Sequence, residues 1–251
     1  MKATSPLPAR AIQLGFLASL IAAWFLIGRT GATSPLFVPP MEAVWRAFIG
    51  LVQTDQFWSA VAITLRTIGE AYAIAVTSGV LIGYLVTRSR FLTQVLEPIV
   101  SGVFAIPITL FFPLFILLFG IGPASKLAYG ATYGFFPIAL NTISGLAGVN
   151  GNYLNAARSM GISSLGTFRH VLFPAAFPVI LTGLRIGFFI CFASVLGGET
   201  ISSVSGVGRN IALAAELMEP ARMYAWMVVV IVTALVLNSL VSMVENRMRG
   251  H

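Results

Sequence analysis

An all-α integral membrane protein with about six transmembrane helices is the fold class this chain predicts, and three observations predict it. Apolar residues fill 57% of its 251 positions and charged residues only 9%, with a mean hydropathy of +0.92; soluble domains carry about a quarter charged residues. Six apolar segments can be drawn, at roughly 11–28, 60–87, 92–119, 124–147, 175–200 and 223–244, against the roughly 20 residues a helix needs to cross a bilayer. Of the more polar stretches between them the most distinctive, 148–173, has the composition of a helix-forming loop. A single transmembrane domain over 1–251 is expected.

The elements follow in order. Lys2 and Arg10 precede the first segment; its length, and the lack of a convincing small-x-small cleavage site, favour a retained helix over a signal peptide. Pro35, Pro39 and Pro40 predict an extended run before a short amphipathic helix over 41–52. The second segment is longer than a bilayer requires and carries Arg66 and Glu70 at i, i+4, a spacing that predicts a structural pair near an interface. Pro98, Pro107 and Pro113 predict a broken third helix. The fourth carries Tyr129, Thr132, Tyr133, Asn141 and Thr142; with Thr109 beside the break, these are the candidates for a translocation path, although helix-packing hydrogen bonds account for such groups as readily. The fifth holds Arg185, which must snorkel or face protein, and Cys191, the one cysteine, a small packing residue. Glu97 and Glu199 fall at segment ends, where both are expected to reach an interface. After Gly206-Val207-Gly208 a short helix is expected near 209–218. The pairs Gly79/Gly83, Gly130/Gly134 and Gly183/Gly187 allow close helix approach, within one subunit or across a dimer.

Within 148–173, Ala156, Ala157 and Gly161 leave one helix face shallow, and Gly161 can end that helix in the left-handed conformation. Ser163 or Ser164 then caps a second short helix, and Pro174 suits the first turn of the next span. Such an elbow can slot into a groove on a soluble partner and act on the fifth segment as a lever.

Lys and Arg set the orientation. With the N-terminus inside, Lys2, Arg10, Arg88, Arg90, Arg158, Arg169, Arg247 and Arg249 are cytoplasmic, and Arg29, Arg46, Lys126, Arg209 and Arg222 external. This favours both termini and the 148–173 loop in the cytoplasm. The formal charge of +7 is scattered, without a basic run or aromatic interleaving, so the lipid bilayer rather than nucleic acid is its counterpart. His170 and His251, the two histidines, offer no metal cluster. No Gly-x4-Gly-Lys-Ser/Thr phosphate loop and no His-Glu-x-x-His or Gly-x-Ser-x-Gly is present. No cofactor is expected on this chain, and an intramembrane enzyme is disfavoured.

Asn155-Ala156-Ala157, three residues, Gly161, nine residues, then Val171-Leu172-Phe173-Pro174 resembles the EAA signature of permease subunits of ATP-binding-cassette (ABC) importers. Ile106-Pro107, Pro113-Leu114, Phe119-Gly120-Ile121-Gly122, Gly183-Leu184-Arg185, Glu199 and Gly206-Val207-Gly208 are similar to the nitrate/sulfonate/taurine/bicarbonate branch. The resemblance covers about 60–245. It implies a type I importer permease fold with cytoplasmic coupling helices, in a bacterial inner membrane. It also implies coupling to the ATPase through 152–172, with Asn155, Ala156, Ala157, Ser159, Met160, Gly161, Ser163, Leu165 and Pro174 as the coupling residues and Arg185 as anchor of the lever helix. The implied partners are cytoplasmic ABC ATPase subunits that hold ATP and Mg, a second permease copy or paralogue, and a periplasmic or lipoprotein solute-binding protein. The implied cargo is a small anion or small organic solute. The acidic first position of the signature is Asn155 here, which can cap a helix but carries no charge, and Phe173 replaces its Leu. A secondary carrier or channel working without an ATPase is the alternative class.

Overall fold

A computed structural model of the chain describes residues 6–31 and 33–249. Lys2 and His251 lie outside the described residues, as do the side chains of Arg10, Arg247 and Arg249. The described chain is helical and contains no strand: α1 (Pro6–Thr30), α2 (Met41–Val52), α3 (Asp55–Thr87), α4 (Arg90–Phe104), α5 (Phe112–Phe119), α6 (Pro123–Ala147), α7 (Gly151–Ser159), α8 (Ser164–Thr167), α9 (Phe173–Ile201), α10 (Val207–Glu216) and α11 (Pro220–Arg249). A 3-10 turn (Ile108–Phe111) precedes α5, and a π turn (Phe168–Leu172) joins α8 to α9.

Among the described residues three stretches are long and apolar enough to cross a membrane, Asp55–Thr87, Ser164–Ile201 and Pro220–Met243; Arg90–Phe104 with Ile108–Phe119, bent by 76°, makes a fourth if the pair is one span. The bend falls at Pro107, where the chain leaves the helical region and restarts with Pro113 in the first turn of α5; Pro98 sits inside α4 without ending it. α6 is long enough but less apolar, because it carries Ser125, Lys126, Thr132, Asn141 and Thr142. It tolerates these because much of it is buried by protein.

The chain divides into two compact units. The first comprises the chain up to Ser59 together with Asn210–Thr233. Aromatic side chains hold it together: Trp24 Nε1 donates to the Pro39 carbonyl at 3.0 Å, Tyr224 Oη to that of Phe37 at 2.9 Å, and Phe57 stacks on buried Trp226 at 5.3 Å. α2 is amphipathic, burying Val44 and Leu51 and exposing Trp45, the amphiphilic placement expected at a membrane–water boundary.

The second unit comprises Ala60–Arg209 and the chain from Ala234 on. α6 is its centre, packed between α3 and α9, and the glycine pairs are the reason the helices approach so closely. A Cβ on Gly79 would stand 2.8 Å from Ile138 Cγ2, and one on Gly83 2.7 Å from Thr142 Cβ. Gly130 and Gly134 of α6 receive Val195 and Cys191, and Gly183 and Gly187 of α9 receive Asn141 and Ile138. All three pairs therefore pack within the subunit. Cys191 sits in this seam with Ala75 and Ile138, and its Sγ donates to the Gly130 carbonyl at 3.3 Å.

Candidate functional site

The elbow is built by three local devices. Asn150 Oδ1 accepts the Asn152 amide at 2.9 Å and starts α7. The helix stops because Gly161 takes φ +72°. Its N–H bonds the Arg158 carbonyl at 3.0 Å, and that of Ile162 the Ala157 carbonyl at 3.1 Å, the Schellman pair that satisfies a helix C-terminus. Ser163 Oγ then accepts the Gly166 amide at 3.2 Å and opens α8. Asn155 is not a cap; it is exposed in mid-helix, where its carbonyl accepts Ser159 Oγ at 3.0 Å.

Sequence pattern missed one property of the second limb. α8 does not end before the fifth span but runs into it, giving one helical stretch over Ser164–Ile201. The connection is the π turn, in which the Phe173 N–H reaches the Phe168 carbonyl five residues back. Pro174, in the first turn of α9, explains it: a proline has no N–H and its ring displaces the carbonyl four residues earlier, and a wider turn takes up the mismatch. The signal was the proline itself, but an insertion of this kind has no residue pattern of its own.

Of the sequence-predicted elbow residues, Asn155, Ala156, Ser159, Gly161 and Ser163 are exposed, as are Pro174 and, most openly, Met160 and Leu165 at 77% each. Ala157 alone faces inward, 3% exposed. The inner face rests on a cluster of Leu146, Ala176 and Ile180, with Tyr84, Val149, Phe168 and Leu172 around it, and Tyr84 meets Phe168 edge-on at 5.3 Å. Arg185 is half-buried, and its Nη2 donates to Asn238 Oδ1 of α11 at 3.2 Å.

The other end of α9 corrects two expectations. Glu199 does not reach an interface; it is 2% exposed. Thr64 Oγ1 lies 2.9 Å from both of its oxygens as the donor, the Gly208 N–H donates to Oε2 at 2.9 Å, and the Val207 N–H donates to Thr64 Oγ1 at 2.9 Å. Gly206, at φ +105°, lies so close that a Cβ there would overlap the carboxyl group. Lys126 is likewise not a surface cation. It is fully buried, its Nζ donates to the carbonyls of Ile121 at 2.6 Å and Gly122 at 3.2 Å, and it lies 5.8 Å from the Phe112 ring centroid. Burial of such groups is tolerable only where polar partners replace water, and these partners come from α3, from the turn after α5 and from the start of α10. The Gly-x-Gly landmarks at 120–122 and 206–208 were visible in the sequence; the polar groups they serve lie too far along the chain for local pattern to connect.

The path candidates separate. Tyr129 is buried against Phe112 and Phe115, at 5.0 and 5.7 Å. Thr142 is buried and bonds back to the Ile138 carbonyl at 2.7 Å; Asn141 bonds that of Pro137 at 2.8 Å and Thr132 that of Ala128 at 2.8 Å. Thr109 is exposed in the 3-10 turn, and Tyr133 is half-buried beside Phe104 at 5.5 Å. Arg66 pairs with Glu70 at 2.7 Å on an exposed helix face.

The family model for the binding-protein-dependent transport system inner membrane component matches residues 75–250. The chain belongs to this family. The permease is 29% identical over 232 residues to the taurine transport system permease protein TauC of Escherichia coli (strain K12), covering 90% of this chain and 84% of that protein. It is 27% identical over 231 residues to the putative aliphatic sulfonates transport permease protein SsuC of Bacillus subtilis (strain 168), covering 92% and 84%. Among solved structures, the MetNI methionine ABC transporter in an inward-facing conformation matches with a TM-score of 0.56 at 20% identity, over 83% of this chain and 95% of that one, a likeness of fold. The resemblance carried by Asn155–Pro174 and by the proline and glycine landmarks thus holds. The chain has the type I importer permease fold and is the permease subunit of a binding-protein-dependent importer.

Proposed function

We propose that this permease carries a small organic anion of the sulfonate class inward, and that ABC ATPase subunits grip it through residues 152–172. The elbow is the observation that carries the coupling half of the reading. Its outer face presents Asn155, Ala156, Ser159 and Met160 to solvent, its corner is fixed by the Gly161 turn, and its second limb continues unbroken into α9. Force applied at α7 would travel along 164–201 as a lever, with Arg185 tying the lever to Asn238 of α11. Asn155 supplies no charge, so docking would depend on shape and on Met160. The cargo class rests on the likeness to TauC and SsuC. ATP and Mg are held by the ATPase, and the chain itself holds no cofactor. A second permease copy or paralogue completes the pore, a solute-binding protein delivers cargo on the outer side, and both termini lie in the cytoplasm of a bacterial cell. Thr109, Tyr133 and Asn141 are the path candidates with surface to offer, ahead of the buried Tyr129 and Thr142.

The test is co-purification of a phosphate-loop ATPase with wild type, Met160→Glu and Gly161→Asp, followed by ATPase activity and uptake of taurine. Met160 is 77% exposed, so its change leaves folding intact. The expected result is loss of the ATPase from both variants while membrane insertion persists. Retention of ATPase and uptake by both would remove the elbow from the coupling path, and uptake that collapses with the ion gradient in the absence of any ATPase would select a secondary carrier.

A further inference from the structure

Between the last turn of α3 and the elbow lies a groove of about 650 Å³. Leu154, Ile162, Phe168 and Leu172 give it an apolar wall, threonine and serine hydroxyls and the guanidinium groups of Arg88 and Arg158 complete the lining, and no acidic residue is part of it. Among the described residues neither guanidinium has a carboxylate partner. Arg88 Nη1 donates to Tyr84 Oη at 2.9 Å, and its guanidinium carbon lies 5.8 Å from that ring's centroid, which holds the cation over the groove. The level of the groove matters as much as its charge. Thr87 ends one membrane-crossing helix and Ser164 begins another, and both line the groove. At 33 and 38 residues these helices outrun a hydrocarbon core; the apolar run of α3 gives out at Thr87, with Arg88 next, so the groove lies on the headgroup side of that core, where aromatic and basic side chains concentrate.

We propose that this groove seats one anionic phospholipid, its phosphate between Arg88 and Arg158 and an acyl chain along Leu154, Ile162, Phe168 and Leu172. A basic pocket between transmembrane helices near the membrane surface has the chemistry for such a headgroup, and an apolar floor beneath two cations distinguishes a lipid from a soluble anion. The bound lipid would bridge α7 to the end of α3 from the inner face and leave Asn155 and Met160 free on the outer face. The site stands on the membrane placement of α3 and of 164–201, and does not depend on ATPase docking.

The experiment uses the purified full-length permease in neutral detergent, titrated with phosphatidylglycerol or phosphatidylcholine, with retained lipid counted by native mass spectrometry. Wild type is compared with Arg88→Gln/Arg158→Gln and with Arg90→Gln/Arg169→Gln, a control pair of exposed arginines outside the groove. Protection of buried Cys191 from maleimide checks that each variant is folded. The expected result is retention of phosphatidylglycerol over phosphatidylcholine, weakened roughly 30-fold in Arg88→Gln/Arg158→Gln, at about 1 kcal/mol for each lost cation, and little changed in the control. Three results would overturn the proposal. One is equal retention by the groove variant and wild type. Another is displacement of the lipid by inorganic phosphate alone, which would make the occupant a free anion. The last is a groove variant that keeps lipid but loses the ATPase, which would assign the groove to that protein.

Discussion

Replacing Thr64 with valine keeps the shape of a buried side chain and removes one hydroxyl, which serves two partners at once. In the native permease Thr64 Oγ1 donates to the Glu199 carboxyl group and accepts the Val207 N–H, each at 2.9 Å, at a residue 4% exposed. Valine leaves both partners short in a site water does not reach. A net hydrogen bond contributes about 1 kcal/mol, and a buried polar group left unpaired costs about 1–3 kcal/mol, so the structure predicts a loss of about 2–4 kcal/mol. For a chain of this size each kcal/mol moves the midpoint by roughly 2–4 °C, which gives a fall of roughly 5–15 °C. The single, buried Cys191 supplies the assay: a thiol-reactive fluorophore labels it only as the helices separate, so a thermal ramp in detergent reads unfolding directly. Glu199→Gln and the double variant complete a cycle, and groups in direct contact should couple by roughly 0.5 kcal/mol or more. A Thr64→Val midpoint within the scatter of wild type, or strictly additive losses in the cycle, would refute the claim that these side chains form one network.

Three further substitutions test the packing of the same structure. Gly134→Val places its branch on Cys191 and the Gly187 carbonyl; overpacking there should cost about 1–3 kcal/mol, seen as maleimide labelling of Cys191 at temperatures where wild type is protected. Lys126→Met removes the donor that serves the Ile121 and Gly122 carbonyls and should lower the midpoint by roughly the cost of unpaired buried acceptors, about 1–3 kcal/mol, with Lys126→Arg recovering part of it. Gly161→Ala must hold φ +72° with a Cβ, costing about 1 kcal/mol; because nothing lies within 4 Å of that Cβ, any loss of uptake beyond the loss of folded protein reports the geometry of the elbow rather than a clash.

What the sequence determined by itself is local. Apolar runs, Pro107 and Pro113, Gly161, Ser163 and Pro174 act on backbone within a turn or two of themselves, and they were enough to place the break in the third segment and the turn of the elbow. Tertiary structure decided what depends on residues distant in the chain. Glu199 looked like an interfacial carboxylate and is a buried acceptor because Thr64, 135 positions earlier, faces it. Lys126 looked like a surface charge and is the donor to a turn. The glycine pairs announced close contacts, but only the packed helices showed that they are spent on α3, α6 and α9 of one subunit. The π turn that makes 164–201 one lever answers a mismatch between Pro174 and a continuous helix. Backbone propensity is set by near neighbours, whereas burial and hydrogen-bond partnership are set by whichever groups the fold brings within about 3 Å.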